Sequence, residues 1–256
     1  MSIGYLKKNV KHMVFPAILV YAIMLLVLCV SCYFISINTL ISYNIEIWIE
    51  GCQNMDFFLP LAVTLPFVFP FYMQRKDGFI KYASVRMNRK QYIFHQMLSG
   101  VLITVLLTTA VYYLALIFSM MLPVAVPGNS QTLLQYVFGQ FQVYNPYVFG
   151  LFWCIWKGVI AGLFILFGYF LALYIDNAFI ATLVPFLYCM AENLITAMLQ
   201  VPKYSIMTSI VLNRLTPECM TVWNYLIGVI TFICISTIII LILRKKKDEQ
   251  YVTKKY

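Results

Sequence analysis

An apolar stretch and a basic stretch follow each other almost directly in this sequence. Residues 57–73 read FFLPLAVTLPFVFPFYM, residues 75–90 read RKDGFIKYASVRMNRK, and another long apolar stretch begins at Tyr92. A run of about 20 apolar residues is long enough for a helix that crosses a membrane. Six lysines and arginines directly after such a run are typical of a loop that stays in the cytosol. The pattern predicts two membrane-spanning helices joined by a cytosolic loop.

The composition extends this reading to the whole chain. Hydrophobic residues make up 62% of the 256 and charged residues only 11%, whereas about a quarter of the residues of a soluble domain are charged. The sequence therefore predicts an all-α integral membrane protein that forms one transmembrane domain over residues 1–256. Six stretches are apolar enough to span: about 13–37, 57–73, 92–122, 147–175, 178–200 and 223–243.

The distribution of positive charge predicts the orientation. Fifteen of the 18 lysines and arginines lie before the first span, in the loop 75–90 or after the last span. With six spans these three segments share one side, and the positive-inside rule makes that side cytosolic. We expect a multi-pass protein of the plasma membrane with both termini in the cytosol. The net charge of +9 then reflects topology and contact with anionic lipid head groups, and nucleic acid is not an expected partner.

Several elements are predicted beside the spans. Residues 1–13 carry apolar residues at helical spacing with lysines on the other face, which favours an interfacial helix over a disordered basic tail. The chain would then turn into the membrane near Pro16. Residues 44–50 are compatible with a strand or with a helical extension of the first span. Residues 201–222 hold a short apolar segment between Pro202 and Pro217, which predicts a re-entrant outer helical pair. Residues 244–256 form a basic cytosolic tail.

The loop 75–90 also has the pattern of a short amphipathic helix. Asp77 is suited to cap it, with Gly78 at the turn, while Lys81 and Ser84 point away from its apolar side. A basic, half-apolar helix between two spans is suited to docking into a groove on a cytosolic partner. The apolar side consists of Phe79, Ile80, Ala83 and Met87.

Two charges fall inside the predicted spans. Lys157 and Glu192 lie at depths that differ by only ~3 Å, at 1.5 Å per helical residue, on helices joined by a very short turn. Because an unpaired charge at that depth costs at least ~2.5–3.5 kcal/mol, a buried Lys157–Glu192 ion pair is predicted. A polar patch on a substrate path, or side chains that snorkel outward, are the alternatives. Gly158 and Gly162 next to the lysine favour close helix packing.

Sequence signals for enzyme chemistry are mostly missing. There is no G-x-x-x-x-G-K-[ST] motif for ATP. The two histidines, His12 and His95, are far apart, and the seven cysteines have no zinc-ligand spacing. We expect no enzymatic activity, no metal and no cofactor in this chain. Cys52 and Cys219 both fall in predicted outer loops, and whether they form a disulfide stays open.

The order of these elements resembles the six-span permease subunit of type-2 ATP-binding-cassette exporters, a family that moves drugs, antimicrobial peptides, lipids and polysaccharides. The likeness covers essentially the whole chain and rests on residues 2–13, on the loop QRKDGFIKYASVRMNRKQY from Gln74 to Tyr92, and on the broken segment before the last span. In that family the inner loop forms a coupling helix that seats in the ATPase. The residues that the resemblance implies for docking are Asp77, Phe79, Ile80, Ala83, Arg86, Met87, Arg89 and Lys90.

The resemblance also implies partners and a cargo route. ATP and Mg²⁺ would be bound by a separate cytosolic ATPase, present in two copies, beside a second permease chain that is identical or similar. The first and fifth spans would meet across the permease dimer, and cargo would pass along the first, second and fifth spans. The side chains suited to that route are Tyr33, Phe34, Phe186, Tyr188, Met190 and Glu192.

Such a lining favours a hydrophobic or amphipathic cargo that leaves the cell. A peptide is slightly favoured over a drug or a lipid as the cargo because Glu192 is able to attract a basic group. Aromatic and Met side chains adapt their packing to bulky molecules. The alternative for these residues is that they only pack the dimer. The alternative for the whole chain is a non-transporting membrane protein, such as an immunity factor, a channel or an assembly scaffold.

Overall fold

The computed structural model describes residues 3–78, 88–124 and 131–253, with side chains except at 3–14, 89, 131–132 and 247–253. Six long helices dominate this part of the chain. They are α1 (Ile3–Asn38), α2 (Asn44–Lys76), α3 (Arg89–Met120), α6 (Pro146–Tyr174), α7 (Ala178–Met198) and α9 (Val222–Thr253). The short helices are α4 (Gln131–Gln135), α5 (Gly139–Tyr144) and α8 (Ile206–Ile210), with 3₁₀ turns at Pro202–Tyr204 and Pro217–Cys219.

Each of the six long helices is long and apolar enough to cross a membrane. The described residues form helices and no strand. The all-helical class and the six apolar helices predicted from the sequence are therefore confirmed, and they fit a multi-pass membrane protein.

The centre of the bundle is formed by α2 and α6, which are mostly buried, whereas only about a fifth of the residues in the apolar parts of α1, α7 and α9 are buried. The second helix packs against α1, α3, α6 and α7, and α6 packs most extensively against α3. The connections from α1 to α2 and from α6 to α7 are short, whereas residues 121–145 separate α3 from α6 and residues 199–221 separate α7 from α9. We call the end where α2 stops and α3 starts the basic-loop end, and the opposite end, which carries α8, the α8 end.

Close contact between α3 and α6 depends on Gly158. A Cβ atom placed there would lie 2.6 Å from Thr109 Oγ1 and 2.8 Å from the Val105 carbonyl oxygen. At Gly162 it would lie 3.2 Å from the side chains of Val101 and Val105. The glycine pair in the sequence therefore serves helix packing, with α3 as its partner.

Two predicted features differ in the structure. The first helix runs through Pro16 without a break, so that residues 3–13 continue into α1 and do not form a separate interfacial helix. Residues 44–50 begin α2, so they form neither a strand nor an extension of the first span. That helix starts more than three turns earlier than predicted because Ile45, Ile47 and Trp48 are buried against the bundle.

The segment between α7 and α9 folds against the bundle. All five residues of α8 are buried, and α8 lies on α9 at Gly228, where a Cβ atom would approach the Ser205 carbonyl oxygen to 2.5 Å. The apolar segment between the prolines thus contains the short helix α8, and the re-entrant outer helical pair stays a prediction.

Candidate functional site

A buried pair of opposite charges lies where α2, α3 and α6 meet. The Lys157 ammonium donates hydrogen bonds of 2.7 Å to both carboxylate oxygens of Asp56, and the Tyr112 hydroxyl donates to Asp56 Oδ1 at 2.8 Å. The side chains of Lys157 and Asp56 are only 2% and 1% exposed. One residue from each of three helices therefore forms a closed charged network in an otherwise apolar centre.

Aromatic rings cover this network. The Lys157 Nζ lies 4.4 Å from the centre of the Tyr112 ring and 5.6 Å from that of Trp48, distances at which the negative ring faces attract a cation. The Trp48 indole N–H donates to the Tyr112 carbonyl oxygen at 3.1 Å. Ring faces and hydrogen bonds together replace the water that the charges lose, which lowers the cost of burying them.

The predicted ion pair between Lys157 and Glu192 is wrong. The partner of Lys157 is Asp56, which the sequence analysis had placed outside the second span. Because α2 begins at Asn44, Asp56 lies inside that helix, level with Lys157. The sequence held one signal for this pair, because Asp56 stands immediately before the apolar stretch 57–73. A lysine inside a span requires an acidic partner at a similar depth on a neighbouring helix.

Glu192 instead holds the start of α8. Its Oε2 accepts a hydrogen bond of 2.8 Å from Ser205 Oγ, and its carboxylate faces the Ile206 N–H at 3.3 Å. Ser205 is the N-cap of α8 and accepts from the Met207 N–H at 3.2 Å. A carboxylate at the free N–H groups of a helix start is stabilising. Glu192 therefore joins α7 to the folded segment 201–222.

An arginine completes this cluster. The Arg214 guanidinium donates to Thr208 Oγ1 at 3.2 Å and to Asn193 Oδ1. Burial lowers the pKa of Arg214, while the charge of Glu192 acts to raise it. The arginine and the glutamate thus compensate each other's charge across α7 and the segment that follows it.

The remaining predicted path residues fall into two groups. Tyr33 and Phe34 lie on α1 with 52% and 59% of their surface exposed. On α7, Phe186 stacks on Phe58 of α2, with ring centres 5.9 Å apart. Within one chain α2 packs against both α1 and α7.

The α7 group is itself divided. Tyr188 makes ring contacts with Phe167 of α6 and Phe232 of α9, and Met190 is half-buried. Tyr188 therefore belongs to the interior packing of the bundle.

An opening at the α8 end carries negative charge. Its volume is about 240 Å³, and Glu46, Glu50 and Tyr136 are among the residues that line it. Burial and the charge of Glu50 raise the pKa of the Tyr136 hydroxyl. The Glu46 carboxylate accepts from the backbone N–H groups of Ser42 and Tyr43 at the start of α2. This mouth brings two carboxylates, those of Glu46 and Glu50, to one opening.

The predicted docking residues are only partly described. Asp77 ends α2 and is followed by Gly78 at a φ of +71°, and Asn88 caps α3 by accepting from the Lys90 N–H at 3.1 Å. Arg89 is the first residue of α3. The residues Phe79, Ile80, Ala83, Arg86 and Met87 lie outside the described part of the chain.

Arg75 has a structural role that the sequence analysis missed. It donates to the carbonyl oxygens of Leu173 at 2.7 Å and Ile175 at 3.1 Å, and to Asp176 at 2.5 Å. Its guanidinium also lies 5.1 Å from the centre of the Tyr72 ring. Arg75 therefore closes the end of α6 and fixes where the basic loop leaves the bundle.

Cysteines and metal ligands add no further site. Cys52 is a buried free thiol and Cys219 an exposed free thiol, so the two are not bridged. Among the residues that the structure describes, no group of three or more His, Cys, Asp or Glu side chains is placed to hold a metal ion.

Comparisons of the chain with protein-family models, with curated proteins and with solved structures gave no match.

Proposed function

We propose that this chain is the membrane-spanning permease subunit of an ATP-driven exporter, powered by a separate ATPase. The observation that carries the proposal is the basic loop at one end of a bundle of six apolar helices. Its two ends are anchored, by Gly78 with Asp77 on one side and by the Asn88 cap on the other. Between these helix ends the loop has the amphipathic pattern of a docking helix, with Phe79, Ile80 and Met87 on one side.

The anchoring reaches the centre of the bundle. Arg75, directly before the loop, is bonded to the end of α6, and α6 carries Lys157, whose partner Asp56 is on α2. A push on the loop would therefore act on α2 and α6 together. This is the mechanical connection that a permease driven from the cytosol requires.

Exposed apolar faces support a second permease chain. Ile23, Leu26, Val30 and Phe34 on α1, and Leu187, Leu194 and Met198 on α7, are more than a third exposed. In the working unit that we propose, α1 and α7 of two copies, or of two similar chains, meet across the cargo route. Two ATPase chains complete this unit.

The cargo that we propose is hydrophobic or amphipathic, with a basic peptide ahead of a drug or a lipid. Glu192, the residue expected to attract a basic group, is occupied by Ser205 and Ile206. The acidic mouth with Glu46 and Glu50 supports the same preference from a different place. The direction proposed is outward from the cell.

The test compares two aspartate substitutions in one loop. Phe79→Asp falls on the predicted apolar side and Ser84→Asp on the other, so the two variants add the same charge at different faces. We expect a tagged wild-type chain and the Ser84→Asp variant to copurify with an ATP-hydrolysing subunit, and Phe79→Asp to lose it while still inserting in the membrane. Retained ATPase with Phe79→Asp would contradict the docking role.

One observation favours a non-transporting membrane protein as the second candidate. Both charges expected along a cargo route, Lys157 and Glu192, are bonded inside the protein. An immunity factor, channel or scaffold would copurify with no ATPase, whether as the wild type or as either aspartate variant. This result separates a non-transporting protein from a permease.

A further inference from the structure

An apolar groove runs between α3 and α6 at the basic-loop end. Its volume is about 390 Å³, within the range of roughly 300–1,000 Å³ that is typical of ligand pockets. Eight of its nine lining residues are apolar, and Met97, Phe170 and Leu173 are among them. The remaining lining residue is Lys90. The groove therefore combines a long apolar wall with a single positive charge.

The groove faces outward from the bundle. Phe94 and Leu98, on its outer rim, are 62% and 44% exposed, and both lie on a helix that is apolar enough to cross a membrane. In a membrane this surface meets lipid. An acyl chain has the shape and the polarity that the wall accepts, because it offers no group that needs a hydrogen bond.

The charge at one end of the groove determines the head group. Lys90 is the second residue of α3, it is exposed, and it forms no ion pair with any residue that the structure describes. The first turn of α3 has no acidic residue, so the positive end of the helix dipole adds to the lysine charge. A phosphate next to the lysine would meet both.

We propose that this groove is a binding site for an anionic phospholipid, with one acyl chain along α3 and α6 and the head-group phosphate at Lys90. Basic pockets between membrane helices are suited to such head groups, and each lysine near the surface contributes about 1 kcal/mol toward anionic lipid. A zwitterionic lipid of the same chain length fits the wall but carries no net charge for the lysine. Lys90 is also one of the docking residues that the resemblance implies, and an experiment without an ATPase separates lipid binding from docking.

The experiment uses the full chain in phosphatidylcholine vesicles with a trace of photoactivatable lipid. Two probes carry the same diazirine-labelled acyl chain, one on phosphatidylglycerol and one on phosphatidylcholine, and labelled peptides are mapped by mass spectrometry. We expect phosphatidylglycerol to label the peptides of α3 and α6 about fivefold more than phosphatidylcholine, as one lysine near the surface implies. Equal labelling by the two probes would overturn the proposal.

Two matched variants locate the charge. Lys90→Gln removes the lysine of the groove. Lys246→Gln removes an exposed lysine in the C-terminal part of α9, outside the groove. The excess labelling is lost in the first and kept in the second. If Lys90→Gln keeps the excess, or Lys246→Gln loses it, the groove does not select its lipid through Lys90.

A third variant tests the wall. Leu98→Trp fills the groove, and we expect it to reduce labelling of α3 and α6 by both probes, whereas the exposed Leu106→Trp, farther along α3, leaves labelling unchanged. Undiminished labelling with Leu98→Trp would overturn the proposal. Weak labelling of these peptides by both probes in the wild type would do the same, since it indicates that a second copy covers the groove. None of these measurements needs an ATPase or a cargo.

Discussion

At the scale of single residues, Lys157 and Asp56 hold the centre of the bundle. Both side chains are almost fully buried, and three hydrogen bonds satisfy the carboxylate. A buried pair of this kind adds little net stability compared with apolar residues of the same size, yet removing one partner leaves the other charge without compensation. The network therefore fixes which faces of α2, α3 and α6 meet.

This role predicts a large loss when one partner is removed. Asp56→Asn leaves Lys157 as an uncompensated buried charge, and we expect the free energy of unfolding to fall by about 3–5 kcal/mol. The double variant Asp56→Leu with Lys157→Met regains most of that loss, because both charges are gone. Thermal unfolding in detergent measures this, with the exposed Glu50→Gln as the control. Equal losses for the single and the double variants would show that charge pairing is not the cause.

Glu192 acts as a cap in this account, so its removal affects α8 first. Glu192→Leu leaves the Ser205 hydroxyl and the Ile206 N–H without their acceptor, which costs about 1–3 kcal/mol. Glu192→Gln keeps an acceptor oxygen and has a smaller effect. Hydrogen exchange of residues 206–210 is expected to accelerate about tenfold or more for Leu, with Ile195→Leu on the same helix as the control. Unchanged exchange would show that Glu192 does not stabilise the start of α8, and the interpretation of Glu192 as a cargo-route residue would then stand.

At the scale of the helices, the apolar stretches predicted the six spans but not where α2 begins. Residues 44–56 mix polar and apolar side chains, and they are buried only because α1 and α3 pack on them, which local sequence does not show. The error in the start of α2 caused the error in the ion pair, since it moved Asp56 out of the bundle. Pro16 was expected near a break, but α1 continues through it.

The contact between α3 and α6 gives a prediction for one glycine. Gly158→Val places a branched side chain against the Val105 carbonyl oxygen and Thr109, and overpacking of this kind costs about 1–3 kcal/mol. Val159 is 42% exposed on the same turn, so Val159→Leu is the matched control. We expect a lower unfolding temperature for the first variant and no change for the second. If the two variants unfold alike, α3 and α6 are farther apart than described.

At the scale of the whole molecule, the composition predicted the class of fold, whereas the contacts between individual side chains were not predicted. The composition predicted a multi-pass bundle, and the structure has six helices of suitable length and polarity. Side chains in the interior depend on which helices are neighbours, and for that reason Tyr112, Trp48 and Arg75 were not recognised from the sequence. The apolar faces of α1 and α7 can be recognised in the sequence, and they are exposed in the part of the chain that the structure describes.

The subunit composition of the solubilised complex tests the central proposal most directly. A permease that offers one basic loop requires a second copy, or a similar chain, to drive two ATPase subunits. We expect the native mass of the complex, purified through a tag on this chain of 29.7 kDa and washed at moderate salt, to equal two permease chains and two ATPase chains. A mass of this chain alone, or of its oligomer without an ATPase, under conditions in which the protein is folded, would contradict the proposal.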